Sequence, residues 1–329
     1  VPFLKKFKIP FIFLFLLAAL FSGVYFWWQK NLEPVSLTSK ETAFVIEKGE
    51  SLGEIAFNLK EKNLIRHPFA FKLYVMVNNL SGQLQAGYFK LSSASSAQEM
   101  ANQLTHGATD IWLTFPEGWR REEYAVRLAN NLPNFEADRF ITLTSGFEGQ
   151  LFPDTYLIPR QAGAIEVIEV LQNNFDKKVD QELLDEARDR GLSKNELLTL
   201  ASLVEREVRN ETDRALVAGI IKKRLANDWP LQIDATLQYT KASRSCRDEL
   251  DCEWWPIALS FDKQLASPFN TYQEKGLPPQ PICNPSLSAI KASVWSKESD
   301  YWFYLSDGQG KTHFGRTAEE HALNIQKYL

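Results

Sequence analysis

Two glutamates, Glu205 and Glu207, stand one residue apart at the end of the apolar run Leu197-Leu198-Thr199-Leu200-Ala201-Ser202-Leu203-Val204. Glycosidic bond cleavage needs a carboxylic acid that is still protonated near neutral pH. Partial burial among apolar side chains raises a carboxyl pKa into that range. Ser193-Lys194-Asn195-Glu196 is a capping box, so the run reads as a helix that starts there. At 100° per residue the two glutamates lie roughly 200° apart, one on each edge of the apolar arc, and Arg206 points away from it. Either could sit half-buried at a cleft edge, and helix geometry does not choose between them. A lone Glu-x-Glu at a helix end is ordinarily a pair of solvated charges, so the surrounding sequence must decide.

The elements that would position these groups follow from composition and patterning. The chain has 329 residues, 44% hydrophobic and 24% charged, which suits about two globular domains. It is neither a disordered tail nor a disulfide scaffold, and a mean hydropathy of −0.27 argues against a polytopic membrane protein. No strongly basic block offers a nucleic-acid footprint. Three Cys and four scattered His supply no metal-ligand spacing, so neither metal nor cofactor is expected. Cys246 and Cys252, six apart, could pair and tie a surface loop, whereas Cys283 reads as a small buried residue.

Charge is uneven. Residues 1–10 carry +3, from Lys5, Lys6 and Lys8, so the net −4 leaves −7 for the remainder. Residues 11–28 hold no charge and would form a helix about 27 Å long, close to the hydrocarbon thickness. Trp27 and Trp28 would sit at the interface, with Lys30 beyond. Lysines on the N-terminal side predict that this end stays inside the cell. The aromatic end of the run is a poor signal-peptide cleavage context. The expected order is a cytoplasmic tail 1–10, a single transmembrane anchor 11–28, a linker 29–41, a small βα module 42–108 and a larger α+β domain 109–329. Both folded parts would lie outside the cytoplasmic membrane.

The small module opens with the strand Ala43-Phe44-Val45-Ile46, then a turn, then a helix capped by Ser51. Val45-Ile46-Glu47-Lys48-Gly49-Glu50-Ser51-Leu52-Gly53-Glu54-Ile55-Ala56 resembles a LysM module, which implies binding to glycans containing N-acetylglucosamine. The same residues contain a literal Gly-x-Ser-x-Gly, but the module is too short for the parallel sheet that a serine hydrolase needs.

The larger domain carries ordered motifs. After Ala201–Glu207 come Lys223-Arg224-Leu225, then Leu231-Gln232-Ile233-Asp234-Ala235-Thr236-Leu237-Gln238-Tyr239. Ser267-Pro268-Phe269-Asn270-Thr271-Tyr272, Gly276–Ile282, Asn284-Pro285-Ser286, Tyr301–Gly308, His313-Phe314 and Glu320-His321 follow. This series resembles the YceG-like endolytic murein transglycosylases over almost the whole chain. The resemblance implies that Glu207, the second glutamate, is the catalytic acid. Glu205 would support it or touch substrate. Gln232, Asp234, Thr236, Tyr239, Asn270 and Tyr272 would line a glycan cleft, although Asp234 could equally shape a turn, and Asn270 and Tyr272 could fix their loop. It further implies cleavage of the MurNAc–GlcNAc β-1,4 bond of nascent peptidoglycan, 1,6-anhydro ends, and work beside peptidoglycan synthases. A muramidase-type hydrolase and a membrane-tethered glycan-binding protein are the alternatives. Lys223, Gln280 and Ser286 depart from the family pattern. The last two replace glycines, so a loop requiring positive φ there would be strained. The stretch Ser243–Leu265 diverges most.

Overall fold

The structure is a computed structural model that describes residues 8–38, 41–106, 110–246 and 249–329, with side chains from residue 14 onward. Lys5 and Lys6, and with them most of the expected tail, lie outside the described residues. The rest forms thirteen α-helices, a 3-10 turn and two small sheets, a mixed α+β fold, in two compact units. One comprises residues 1–113 and 157–160, the other 114–156 and 161–329.

The chain begins with α1 (Lys8–Leu32), a 25-residue helix that exposes Leu14, Phe15, Leu16, Leu20, Phe21 and Phe26. Among the described residues no helix is long and apolar enough to cross a membrane, and side chains 11–13 of the expected span lie outside them. The helix does not stop at Trp28. Its last turn carries Leu32 into the first unit's core, and Trp28 Nε1 donates to the Ala70 carbonyl at 3.1 Å. The segment expected as a linker is therefore helical for its first four residues.

The first unit continues with β1 (Glu41–Ile46), α2 (Leu52–Glu61), α3 (Pro68–Val77), β2 (Gly87–Ser92), α4 (Ala97–His106) and β3 (Asp110–Thr114). With β4 (Thr155–Pro159) these strands make one sheet in the order β1-β2-β3-β4. β1 and β2 are antiparallel, with Phe44 opposite Phe89. Alternation turns Phe44 and Ile46 inward against Ile55, Leu59 and Phe71. Ser51 caps α2: its hydroxyl accepts from Glu54 N at 3.3 Å while Glu54 accepts from Ser51 N at 2.8 Å. This serine has the role of a cap.

The second unit contains α5 (Arg121–Asn131), α6 (Ala137–Leu143), α7 (Ala164–Lys178), α8 (Gln181–Asp189), α9 (Lys194–Glu207), α10 (Glu211–Ala226) and α11 (Asp234–Ser245). A 3-10 turn (Ser260–Gln264), α12 (Leu287–Val294), the hairpin β5 (Phe303–Ser306) and β6 (Thr312–Gly315), and α13 (Ala318–Tyr328) complete it. The capping box starts α9 where the sequence puts it. From Leu197 to Val204 every side chain of α9 is buried, because α8, α10, α11 and α12 all pack on it. Val217, Ala218 and Ile221 of α10 and Ala289, Ile290 and Val294 of α12 share its core. A helix enclosed in this way is a rigid support for whatever its last turn presents.

Candidate active site

The last turn of α9 delivers its two glutamates into different surroundings. Glu205 Oε1 accepts from Arg214 Nη2 at 2.7 Å, and both side chains are 6% exposed. Its Oε2 accepts from the Ser286 backbone N at 2.9 Å and from the Ser286 hydroxyl. Arg214 Nη1 donates to the same hydroxyl at 2.7 Å, closing a ring of three side chains. Ser286 also caps α12, at φ −65° and ψ 159°. Neither Ser286 nor Gln280 has a positive φ, so replacing the family's glycines strains nothing here.

Glu207 faces another set. Burial, then the charge of Asp234, push its pKa up to about 7. A hydrogen bond from the Tyr304 hydroxyl and the guanidinium groups of Arg224 and Arg206 pull the other way. Tyr304 is itself partly buried and held well above the usual phenol range, so it remains a donor. Alternation along β5 puts Tyr304 and Ser306 on one face. The first reaches the Glu207 carboxyl, and the second donates to the Glu207 carbonyl at 3.1 Å. Arg224 is fixed by the Trp302 carbonyl, which accepts from its Nε at 3.0 Å and its Nη2 at 2.7 Å.

Asp234 opens α11 and accepts from the Tyr272 hydroxyl at 2.6 Å. Burial, and that bond, raise the Tyr272 pKa. Gln232, two residues before Asp234, is exposed and has φ +55°, a left-handed backbone that L side chains rarely adopt. Its N–H donates to the Thr271 carbonyl at 3.0 Å, which ties this strained corner to the loop bearing Tyr272.

Three of the expected cleft residues do other work. Thr236 is fully buried, donating to the Ile233 carbonyl at 2.6 Å and lying 3.0 Å from the Thr271 hydroxyl. Asn270 is fully buried too. Its amide donates to the Leu265 carbonyl at 2.7 Å and its Oδ1 accepts from Tyr272 N at 3.0 Å, so it holds the loop. Tyr239 is 6% exposed, with its ring 4.1 Å from the Arg120 guanidinium and 4.6 Å from the Phe269 ring. For Thr236 the reason is angular: on α11 it is about 200° round from Asp234, so the two cannot share a face.

Arg206 does not point into open solvent. Its guanidinium lies 3.7 Å over the Trp255 ring, and Gly118, at φ +75°, is close enough that a Cβ there would stand 3.5 Å from it. Trp255 lies three residues beyond the loop closed by the Cys246–Cys252 disulfide, and Cys283 is free and buried. Arg214, Arg224 and Tyr304 are the groups that sequence reasoning did not single out. For Tyr304 the signal existed: Tyr304 and Ser306 are two apart in a short strand. Among the described residues no group of His, Cys, Asp and Glu could hold a metal ion.

Known proteins share this arrangement of elements. The model of the YceG-like family matches residues 44–327. Proteins named endolytic murein transglycosylase from Streptococcus pneumoniae strains D39 and R6 are 29% identical over 96% of the chain. The chain spans 64% of the length of those relatives. One of the same name from Bacillus subtilis is 29% identical, over 93% of this chain and 90% of its own. The crystal structure of a YceG-like protein from Listeria monocytogenes superposes with a TM-score of 0.57 at 26% identity, covering 87% of this chain and 99% of that one. With the family match running from β1 into α13, the chain belongs to the YceG-like family.

Proposed function

We propose that this protein is a membrane-anchored endolytic lytic transglycosylase of peptidoglycan, with Glu207 as its acid. The observation that carries the reading is the half-buried Glu207 carboxyl at the end of α9, raised to about 7 by burial and by Asp234. Such a group is about half protonated at neutral pH and can donate to a leaving oxygen. Glu207 gives its proton to the glycosidic oxygen between MurNAc and GlcNAc as the bond from C1 breaks. The carboxylate then takes the proton of the C6 hydroxyl of the same MurNAc, whose oxygen bonds to C1. A 1,6-anhydro end forms, Glu207 is protonated again, and no water is consumed. Tyr304 supports the carboxylate between the two transfers by donating to it. The enzymes named murein transglycosylase among its relatives support the substrate class.

The exposed apolar residues of α1 support the reading of this helix as the end of the anchor, with the rest of the chain outside the cytoplasmic membrane. The LysM-like stretch is the proposed second glycan contact. There Phe57, 58% exposed, borders a cavity of about 720 Å³ with Glu47, Lys48 and Asn58. Synthases of the glycan strand are the proposed partners, by family resemblance.

One observation favours a second reading, hydrolysis. Asp234 places another carboxylate in the field of Glu207 and could serve as base for a water. Digestion of purified peptidoglycan by the full chain in detergent, with product masses read, separates the two. Products lighter by one water, absent with Glu207→Gln, are the expected result. Hydrated reducing ends would move the protein to the hydrolases, and no cleavage would refute the proposal.

A further inference from the structure

A cavity of about 800 Å³ in the second unit lies over α5, α6 and α11. Its floor is the Arg120 guanidinium, 2% exposed, stacked 4.1 Å from the Tyr239 ring and 4.8 Å from the Trp254 ring. Arg120 donates to Glu122 at 3.1 Å and to Ser243 at 3.0 Å, so the floor is satisfied and rigid. The rim is different. Arg121 and Arg244 bring positive charge, while Asp138 and Glu249 bring negative charge and make no ion pair among the described residues. A site for a bare polyanion would not carry those acids, and a site for an uncharged sugar would not need either sign. The rim suits a ligand that carries carboxylates and an amine together.

The cavity is also connected to the reacting centre by two elements. Tyr239 lines it from α11, whose first residue is Asp234, about 7.5 Å away along the axis. Ser267 and Phe269 line it from the loop that continues to Tyr272, the donor to Asp234. A five-residue peptide spans at most about 17 Å when extended. Tyr239 is also about 140° round α11 from Asp234, so a peptide tethered to a sugar there must turn round the helix as well as advance along it. An extended stem has the length to do both.

We propose that this cavity seats the peptide stem attached to the MurNAc lactyl group, with Arg244 taking a stem carboxylate and Asp138 its side-chain amine. The proposal rests on the peptidoglycan reading above and sharpens it. The substrate is glycan that still carries its peptides, and naked strands are poor substrates.

The test uses the full chain in detergent with two substrates: peptide-bearing strands, and the same strands stripped by an amidase that cuts the lactyl–alanine bond. Wild type should cut peptide-bearing strands with a kcat/KM about tenfold higher, the value of one well-placed charge contact. Arg244→Glu and Asp138→Lys should each bring that ratio close to one. Acetylating the stem amine should reproduce the Asp138→Lys effect in wild type. A fluorescently labelled, soluble stem pentapeptide should bind wild type and lose binding in Arg244→Glu. Arg244 also holds the Ala266 carbonyl, so Asp138→Lys, on a different element, is the control for a local folding defect. Equal rates on both substrates, or a variant that lowers both rates alike, would overturn the stem site. So would absence of peptide binding, which needs no cleavage. Failure of wild type to cut either strand while it binds the pentapeptide would instead overturn the transglycosylase reading.

Discussion

The last turn of α9 has two sides that differ in one respect: what meets the carboxyl. Around Glu205 there are three donors, one of them a buried guanidinium, and both oxygens are occupied. Around Glu207 there is one hydrogen-bond donor, the neutral Tyr304, while the charges of Asp234, Arg224 and Arg206 act on it in opposite directions. The residues are identical and two positions apart on one rigid helix. The difference therefore comes from the partners. Arg214 on α10 and Ser286 at the start of α12 turn one glutamate into a clasp between helices. The β5 strand and the start of α11 keep the other available for proton transfer. A Glu-x-Glu motif thus divides its labour through the elements that pack against it.

The sharpest break between the two sides comes from replacing each glutamate by glutamine. Glu207→Gln should lower kcat by about 10²–10⁴, the usual worth of a general acid, with no fall in the urea midpoint. Glu205→Gln should do the reverse. It leaves Arg214 charged and buried, which costs about 3–5 kcal/mol, while each folded molecule keeps most of its rate. Urea unfolding and product release measured on the same preparations separate the cases. Loss of activity in a fully stable Glu205→Gln would invert the assignment.

Much of this frame was legible before any coordinates. The capping box at Ser193 and Glu196 sets the start of α9, and 3.6 residues per turn already separates the two glutamates. The pairing of Cys246 with Cys252 and the burial of Cys283 also agree with the sequence reading. What could not be read was the identity of the partners. Arg214 and Ser286 are 72 residues apart, and Tyr304 is 97 residues beyond Glu207, so only the fold joins them. The angular argument applied to Glu205 and Glu207 also holds for Asp234 and Thr236 on α11, and it places Thr236 in the core. Asn270 is a different case: nothing in the sequence of a polar loop tells which side chain faces outward and which closes on its own backbone.

The two neighbours of Glu207 should move its titration in opposite directions. Wild-type kcat/KM, which needs the protonated acid, should fall as pH rises through about 7. Asp234→Asn removes a negative charge that opposes ionisation, so the falling limb should move to lower pH. Tyr304→Phe removes a donor that favours the carboxylate, so the limb should move to higher pH. Shifts of the same sign in both variants would mean that the limb belongs to another group. Stability gives a second view of the same proton. The folded protein keeps it up to about 7, whereas an ordinary glutamate releases it near 4.5. The native state thus binds more protons in that window, and stability from this group is present below about 4.5 and lost as pH rises through about 7. Subtracting the pH–stability curve of Glu207→Gln from that of wild type should isolate this slope.

The smallest expected effect is at Gln232, where the comparison turns from charge to backbone. The left-handed φ of +55° costs a residue with a Cβ about 1–2 kcal/mol relative to glycine. Gln232→Gly relieves that cost but gives the unfolded chain more freedom, worth about 0.4–1 kcal/mol in the opposite direction. The net should be a gain of about 0–1.6 kcal/mol, a rise in Tm of about 3 °C at most. Gln232→Asn keeps a polar side chain that tolerates this conformation. If the exposed side chain touches glycan, KM should rise in the glycine variant and much less in the asparagine variant, with kcat unchanged in both. If instead the strained corner serves to aim Asp234 through the bond to Thr271, kcat should fall in the glycine variant as the corner loosens, and the pH limb should drift toward that of Asp234→Asn. A fall in Tm for Gln232→Gly would mean that the side chain contributes more to this corner than its backbone takes away.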